Sequence, residues 1–585
     1  MKPSVRIGNA SAFYGDRLAA MRELIDNAEI DVITGDYLAE LTMLILWKAK
    51  NKNPEAGYAH TFLTQFTQVV TDCATRGIKV VVNAGGLNPA GCADRVRSIA
   101  AEAGVTLSVA YVEGDDILAE VPALLACGVP FAHLDTGVEL KHSGVQPVSA
   151  NAYLGGWGIT SALSRGADVV VTGRVTDAAL VVGVGAWWHD WNRTDYDALA
   201  GAVAAGHIIE CGPQACGGNY SQLAEVIDRR YPGSPIVELH RDGSFVITKT
   251  ANTGGLVSPG TVTAQLLYEV AGPAYANPDV VAHFDTMSVT QQAPDRVLVA
   301  GTTGSAPPDT LKVAMNYIGG YRNTMTMAIT GLDIQQKADW ATDQLLEILG
   351  GRDRFDTLDI ELLRYDREDP ASMAEATAHL RVSVKDRDRS KVDRAFSNAV
   401  IELYVAGYAG FYTTTPPSAA TEFGIYWPTL VPASAVEHVV VHADGTREII
   451  EHSDTAPAHP ATIPTSSDDR PIELGPVSRR SLGSVVSARS GDKGGNANIG
   501  IWTDTDERWH WLQSHLTVER FTEMVPEVAG FTVRRYVFDN LRALNFVVVG
   551  FLGEGVASCT RPDAQAKSFG EYIRIVHTDI PDKLV

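Results

Sequence analysis

The chain is poor in cysteine: six residues in 585, at positions 73, 92, 127, 211, 216 and 559, scattered along its length. That scarcity excludes a disulfide framework and suits reduced thiols in a cytoplasm. Cys211 and Cys216 stand five apart with no second Cys/His pair at zinc spacing, so no metal is expected. No run of 18 apolar residues occurs, which leaves no ordinary membrane-spanning helix. The opening MKPSVRIGNAS lacks the apolar stretch of a secretory signal, and a cytoplasmic location is the expectation. Basic residues are also few, 48 Lys and Arg against 70 Asp and Glu, for a net charge of −22. A surface this acidic repels nucleic-acid backbones and anionic lipid, so neither is expected as a partner.

What is present is a chain too long for one hydrophobic core, with two or three domains expected. Its first 200 residues alternate strand and helix patterns. Val5-Arg6-Ile7-Gly8 reads as a strand, and the period of Leu18, Met21, Leu24 and Ile25 predicts a helix over 16–27 capped by Asp16. A second strand over 31–34 runs into Asp36. Asp36 and Glu40 lie four apart where a helix is predicted to start, sharing one face as an acid/base pair or as company for the helix's positive end.

Lys79-Val80-Val81-Val82 is the β-branched run of a parallel strand buried on both faces, and it ends in Asn83, Gly85, Gly86 and Asn88. A further buried strand over 168–172 ends in Gly173-Arg174-Val175-Thr176-Asp177. Ligands of open α/β sheets bind beyond the carboxyl ends of the strands, which makes Asn83, Gly85, Gly86, Asn88, Arg174 and Asp177 candidate binding groups. The alternation predicts a large doubly wound α/β domain with a mostly parallel sheet.

The stretch around which these ends would converge is GHIIECGPQACGGNY, 206–220. A short apolar pair leads into Glu210 and Cys211, then into a tight loop of Gly217, Gly218 and Asn219, where glycine lets a ligand approach the backbone. From about 235 the pattern changes to an α+β section. Residues 451–476, rich in Pro, Ser, Thr and Asp, read as a linker. The domains are therefore expected at 1–450 and 477–585, the latter a small ferredoxin-like α+β module of helices on a four-stranded sheet. Inside it, Arg489, Ser490, Gly491, Asp492, Lys493, Gly494, Gly495, Asn496, Ala497 and Asn498 are expected to form a loop whose successive N–H groups make an anion nest, reinforced by Arg489 and Lys493.

Six stretches carry a family resemblance: RIGNASAFYGDR (6–17), TGDYLAELTM (34–43), NAGGLNP (83–89), TGRVTDAAL (172–180), GHIIECGPQACGGN (206–219) and RSGDKGGNANIGI (489–501). With GGLVSPGTVTAQLLYEV (254–270) they span nearly the whole chain, which resembles the acyclic terpene utilisation AtuA family. The resemblance implies a large α/β domain followed by a ferredoxin-fold module. It also implies a place in a catabolic pathway that runs through acyl-CoA thioesters. The chain departs from the family pattern at Cys216, which weights Glu210, Asn219, Asp492 and Lys493 above the thiols.

The expected function is an enzyme acting on an acyl-CoA or related small carboxylic substrate by acid/base chemistry, a hydratase, lyase or hydrolase. Glu210 or Asp36 would be the base, and Asn83 and Asn219 would polarise a thioester carbonyl. Arg174, Arg489 and Lys493 would anchor anionic groups. No cofactor is required, a CoA thioester being substrate, and a homo-oligomer is expected. The rival is a non-catalytic acyl-CoA-binding or scaffold protein. Covalent catalysis through Cys211 would need a neighbouring base, such as His207, to depress its pKa.

Overall fold

Five short runs of mostly β-branched residues form the parallel heart of the protein in a computed structural model that describes residues 3–456 and 475–585. They are β1 (Val5–Asn9), β2 (Val32–Gly35), β3 (Lys79–Val82), β4 (Val109–Glu113) and β5 (Val169–Thr172). They lie in the order β1-β2-β3-β5-β4, every neighbouring pair parallel. Val80, Val81, Val82, Val169, Val170 and Val171 are all buried, as strands covered on both faces require.

Alternate residues of these strands face different helices. Ile33, Val80, Val82, Val169 and Val171 pack with Leu24, Phe62, Phe66, Val96 and Ile99, from the helices Ala20–Asn27, His60–Thr67 and Pro89–Glu102. The other face carries Trp157–Ser164 and Ala179–His189. There a Cβ at Gly158 would press on Val112 and one at Gly185 on Leu239, residues outside the first cluster.

The flanks are antiparallel. Pro235–Leu239 pairs with β1 and continues through Phe245–Lys249, Arg296–Ala300 and Ser288–Ala293; His438–Val441 pairs with β4, and Arg447–Ile450 closes that side. The expectation of a mostly parallel sheet therefore holds only for β1 to β5. The segment from 235, expected as an α+β section that is either a second domain or an elaboration of the first, begins by extending this sheet. The physical reason is the short connection at Arg241-Asp242-Gly243, which can join only antiparallel neighbours.

The chain divides into two compact units, the larger comprising Met1–Asn316, Tyr426–Val556 and Gln565–Val585. The smaller, Tyr317–Ile425 with Ala557–Ala564, has its own core. In it Met325, Met327, Leu380 and Val382 pack against Leu345 and Val400, from the helices Ile334–Leu349 and Arg394–Ala406.

The four-stranded sheet near the C-terminus belongs to the larger unit. Its order is Ser487–Lys493, Asn496–Trp502, Ala543–Val549, Thr532–Phe538, all antiparallel. Helices Asp506–His515, Val518–Met524 and Phe569–Ile575 accompany it, and Phe521 stacks on Phe546 with centroids 4.3 Å apart. The expected glycine loop at 489–500 is a β-hairpin instead. Arg489 pairs with Gly500 and Asp492 with Ala497, and only Gly494 takes the left-handed turn, at φ 62°. Its N–H groups are shared with the ladder, so the expected nest does not form. Most of the expected linker, 457–474, lies outside the described residues.

Candidate active site

The carboxyl ends of the parallel strands are tied to one another by short polar side chains. Asn83, at the end of β3, donates to Asp36 Oδ1 at 2.6 Å and accepts the Tyr37 N–H at 2.7 Å. Asp36 also accepts the Leu38 N–H. The helix after β2 begins only at Glu40, so Asp36 and Glu40 do not share a helix face as expected. Asp36 is occupied in a local turn, a common alternative for an Asp side chain beside free backbone N–H groups.

Arg174, at the end of β5, is buried. It donates to the Leu38 carbonyl at 2.7 Å, lies 2.9 Å from Asp177 and covers the Tyr153 ring at 4.2 Å. Glu40 accepts the Tyr153 hydroxyl at 3.3 Å and sits 3.8 Å from Lys312, whose ammonium lies 4.9 Å from the same ring.

Glu210 arrives from a different direction. The pair Ile208-Ile209 is the end of the helix Tyr196–Ile209, buried from Ala198 onward, and Glu210 is its C-cap. Asn9, at the end of β1, donates to the carbonyls of Ile209 and Glu210 at 2.7 and 3.1 Å, fixing the acid over the sheet edge. His207, one turn earlier, points Nδ1 at Glu210 Oε1 from 3.3 Å and packs against the rings of Tyr275 and Phe284.

The C-terminal module supplies the remaining wall. Asn498 accepts the Glu269 N–H at 2.8 Å and donates to Leu267 O and Asn545 Oδ1; Asn545 donates to the carbonyls of Val270 and Ala271, both at 2.7 Å. These carboxamides satisfy backbone groups left open beyond the helix Pro259–Leu266. A Cβ at Gly491 would strike the Tyr268 ring at 2.3 Å, so glycine there sets the depth of docking.

So placed, Lys493 donates to the Glu269 carbonyl at 2.6 Å, its ammonium 5.6 Å from the Tyr275 centroid. Lys567 lies 3.9 Å from Glu269 and 3.7 Å from Asp492 and donates to the Tyr268 hydroxyl. Arg489 stacks on Tyr268 at 4.2 Å and donates to Gln214. The two stretches expected to carry chemistry thus meet where Arg489 donates to Gln214.

Other expected binding groups have structural occupations. Gly85 donates to Thr172 O at 3.0 Å, and a Cβ on Gly86 would fall 2.3 Å from Leu46, so both permit close packing beside the strand ends. Gly217 packs on Leu256 and Gly218 on Pro213, while Asn219 is exposed in a left-handed turn at φ 56°. Ser490 donates to Ala566 O and accepts the Gly570 N–H, binding strand to helix. Asn496 bridges Asp135 and the Gly550 N–H, and Gly495 packs on the Gly553 carbonyl. Tyr153, Tyr275, Lys312 and Lys567 carried no sequence signal, since each comes from a segment remote from the glycine-rich motifs; Glu269 lies in the stretch 254–270 but was not singled out there.

Electrostatics sort the charged groups. Burial, followed by Asp177 and Glu269, pushes the Glu210 carboxyl well above the usual carboxylate range. Burial and Asp177 do the same to Asp36, outweighing Arg174 and Asn83. Burial and then Glu269 raise Asp492 to about 7, against Lys567. Glu40 differs: burial would raise it, but Lys312 and Arg174 outweigh that and hold it low.

The two lysines also diverge. Burial works to lower Lys312, yet Tyr153 and Glu40 raise it overall, whereas burial and Lys312 together lower Lys493. Lys493 is an exposed side chain near the turn of its hairpin. His207 is driven down to about 4 by burial and then Lys493, so its ring is neutral at pH 7. Burial and Glu210 push the Cys211 thiol well up, the reverse of what a thiolate nucleophile needs.

Among the described residues no three His, Cys, Asp or Glu side chains gather to hold a metal ion, and no helix is long and apolar enough to cross a membrane. Comparison with known proteins assigns residues 5–442 to the acyclic terpene utilisation family protein AtuA and residues 480–579 to the AtuA ferredoxin-like domain. No curated protein and no solved structure matches the chain. The two matches cover both the sheet that presents Glu210 and the hairpin that presents Lys493: the chain belongs to the AtuA family and carries that family's ferredoxin-like domain at its C-terminal end.

Proposed function

We propose that the protein is an enzyme that acts on an acyl-CoA or related small carboxylic substrate by general acid/base chemistry, as a hydratase, lyase or hydrolase of a degradation pathway. The observation that carries this reading is Glu210, a deeply buried acid whose Oε2 has no hydrogen-bond partner, facing a neutral histidine in a wall shared with Lys493. Perturbed acids and bases gathered in one place are a mark of catalytic sites. Arg174 and Lys312 supply positive charge for an anionic group. Asn83 serves by orienting Asp36, since its carboxamide is taken up by Asp36 and Tyr37.

The raised Cys211 disfavours the thiol route. A cytoplasmic homo-oligomer without a resident cofactor completes the reading, and light scattering after size exclusion measures the assembly. The central test is a thermal-shift and turnover panel of acyl-CoAs, free CoA and small carboxylates on the native protein and on Glu210→Gln. Retained binding with turnover reduced about a hundredfold or more supports Glu210 as the acid/base. Unchanged turnover removes Glu210 from the scheme. Binding without turnover in the native protein favours the scaffold reading.

A further inference from the structure

The larger unit holds a second hollow, of about 320 Å³, between the amino end of the helix Pro259–Leu266 and the C-terminal module. Glu269 lies beyond the other end of that helix. Thr263 lines the hollow; it is 6 % exposed, and its hydroxyl has no hydrogen-bond partner among the described residues. Ser487, also buried there, accepts from Gln222 at 2.9 Å but donates its own proton to no described residue. Buried hydroxyls left open are unfavourable, and two in one hollow call for an occupant. At the helix end, Ser258 takes up the N–H groups of Thr261 and Val262, which leaves the Gly260 N–H open at the positive pole. A Cβ at Gly260 would fall 2.0 Å from the Tyr220 hydroxyl, so only glycine fits this wall.

The module contributes two arginines to the lining. Arg542 uses only Nε, on Asp506 at 2.5 Å, and both terminal nitrogens of its fork are free among the described residues. Such a fork matches a phosphate in geometry and charge. The two acids of the lining are each engaged through one oxygen, Asp504 with Arg508 at 2.7 Å and Glu225 with the Tyr220 hydroxyl at 2.9 Å. Their second oxygens remain as acceptors. We propose that this hollow binds a phosphate ester of a small hydroxylated molecule, with the Arg542 fork on the phosphate. Thr263, Ser487, Glu225 and Asp504 meet the hydroxyl groups. A bare anion would leave the acceptors unmet, and a neutral polyol would leave the fork unmet. Because the ligand touches both the helix and the module, it favours their docked arrangement. The site goes beyond the acid/base reading and does not depend on it.

The test is titration calorimetry of the full chain with ribose 5-phosphate, glycerol 3-phosphate and AMP, with inorganic phosphate and ribose as controls. It is repeated on Thr263→Val, which removes only the unpartnered hydroxyl, and on Arg542→Asn, since asparagine accepts the left-handed backbone found there at φ 51°. The expected result is saturable binding of at least one ester, tighter than either control. Each variant should weaken that ester about tenfold, and Glu210→Gln should leave it unchanged. A crystal of the native chain soaked with the tightest ester locates it directly, so a variant that fails to fold does not decide the outcome. No binding of any ester overturns the site, as does binding that both variants leave intact or that Glu210→Gln abolishes. Esters that bind no more tightly than inorganic phosphate overturn the hydroxylated class.

Discussion

Asn498 and Glu269 meet across the seam between the large sheet domain and the C-terminal module, with the carboxamide oxygen accepting the Glu269 N–H at 2.8 Å. The same residue whose backbone N–H is bound by Asn498 offers its carbonyl to Lys493 at 2.6 Å. Docking and site assembly are therefore one event.

Asn498→Ala should loosen that docking. It leaves the Glu269 N–H and the Leu267 carbonyl without their partner, at a cost of about 2–4 kcal/mol. Asn545→Ala should do the same through Val270 and Ala271. Because the two carboxamides bond each other, the double variant should lose less than the sum of the singles. Calorimetry should show the module melting at a lower temperature in each; unaltered melting curves would mean that packing alone holds the seam.

Asn83→Ala should strip Asp36 and the Tyr37 N–H of a buried partner. The expected loss is about 2–3 kcal/mol, measured as a lower urea midpoint. Asn83→Asp should be worse at pH 8 than at pH 5, because a second carboxyl would face Asp36.

Asp115 gives a pH signature outside the catalytic groups. Burial pushes it up to about 7, although it accepts the Arg174 N–H and the Asn151 carboxamide, each at 2.8 Å. Its folded pKa stands above the unfolded one, so its stabilisation is complete below about pH 4 and lost as pH rises through 7. Asp115→Asn keeps an acceptor in place and should remove that loss. The variant's advantage in melting temperature should grow from pH 5 to pH 8, towards about 4 kcal/mol at most.

Cys211 should react slowly with iodoacetamide at pH 7.5, and the exposed Cys127 quickly, since burial and Glu210 keep the Cys211 thiol protonated. Carbamidomethylation followed residue by residue by mass spectrometry gives both rates. Rapid, ligand-protected modification of Cys211 would revive thiol catalysis.

The parallel centre was legible because Val80 to Val82 and Val169 to Val171 leave a buried strand few alternatives. The glycine run after Arg489 misled: loop and hairpin share the same residues, and only the partners of 496–502 distinguish them. Asp36, Glu210, Arg174 and Lys493 were recognisable from their places at strand ends or among glycines. Tyr153, Lys312, Glu269, Tyr275 and Lys567 were not, because their neighbours are set by contacts between distant segments.

The sequence by itself determined the α/β class, the acidic surface, the ferredoxin-like module and the family, all properties of local pattern and composition. Tertiary structure alone decided that Glu210 caps a buried helix, that Asn9 holds it over the sheet edge, and that Lys493 crosses from the module to Glu269. It also decided which acids are held high and which lysine is lowered. Those outcomes depend on burial and on charges brought near by folding, neither of which is encoded at neighbouring positions in the chain.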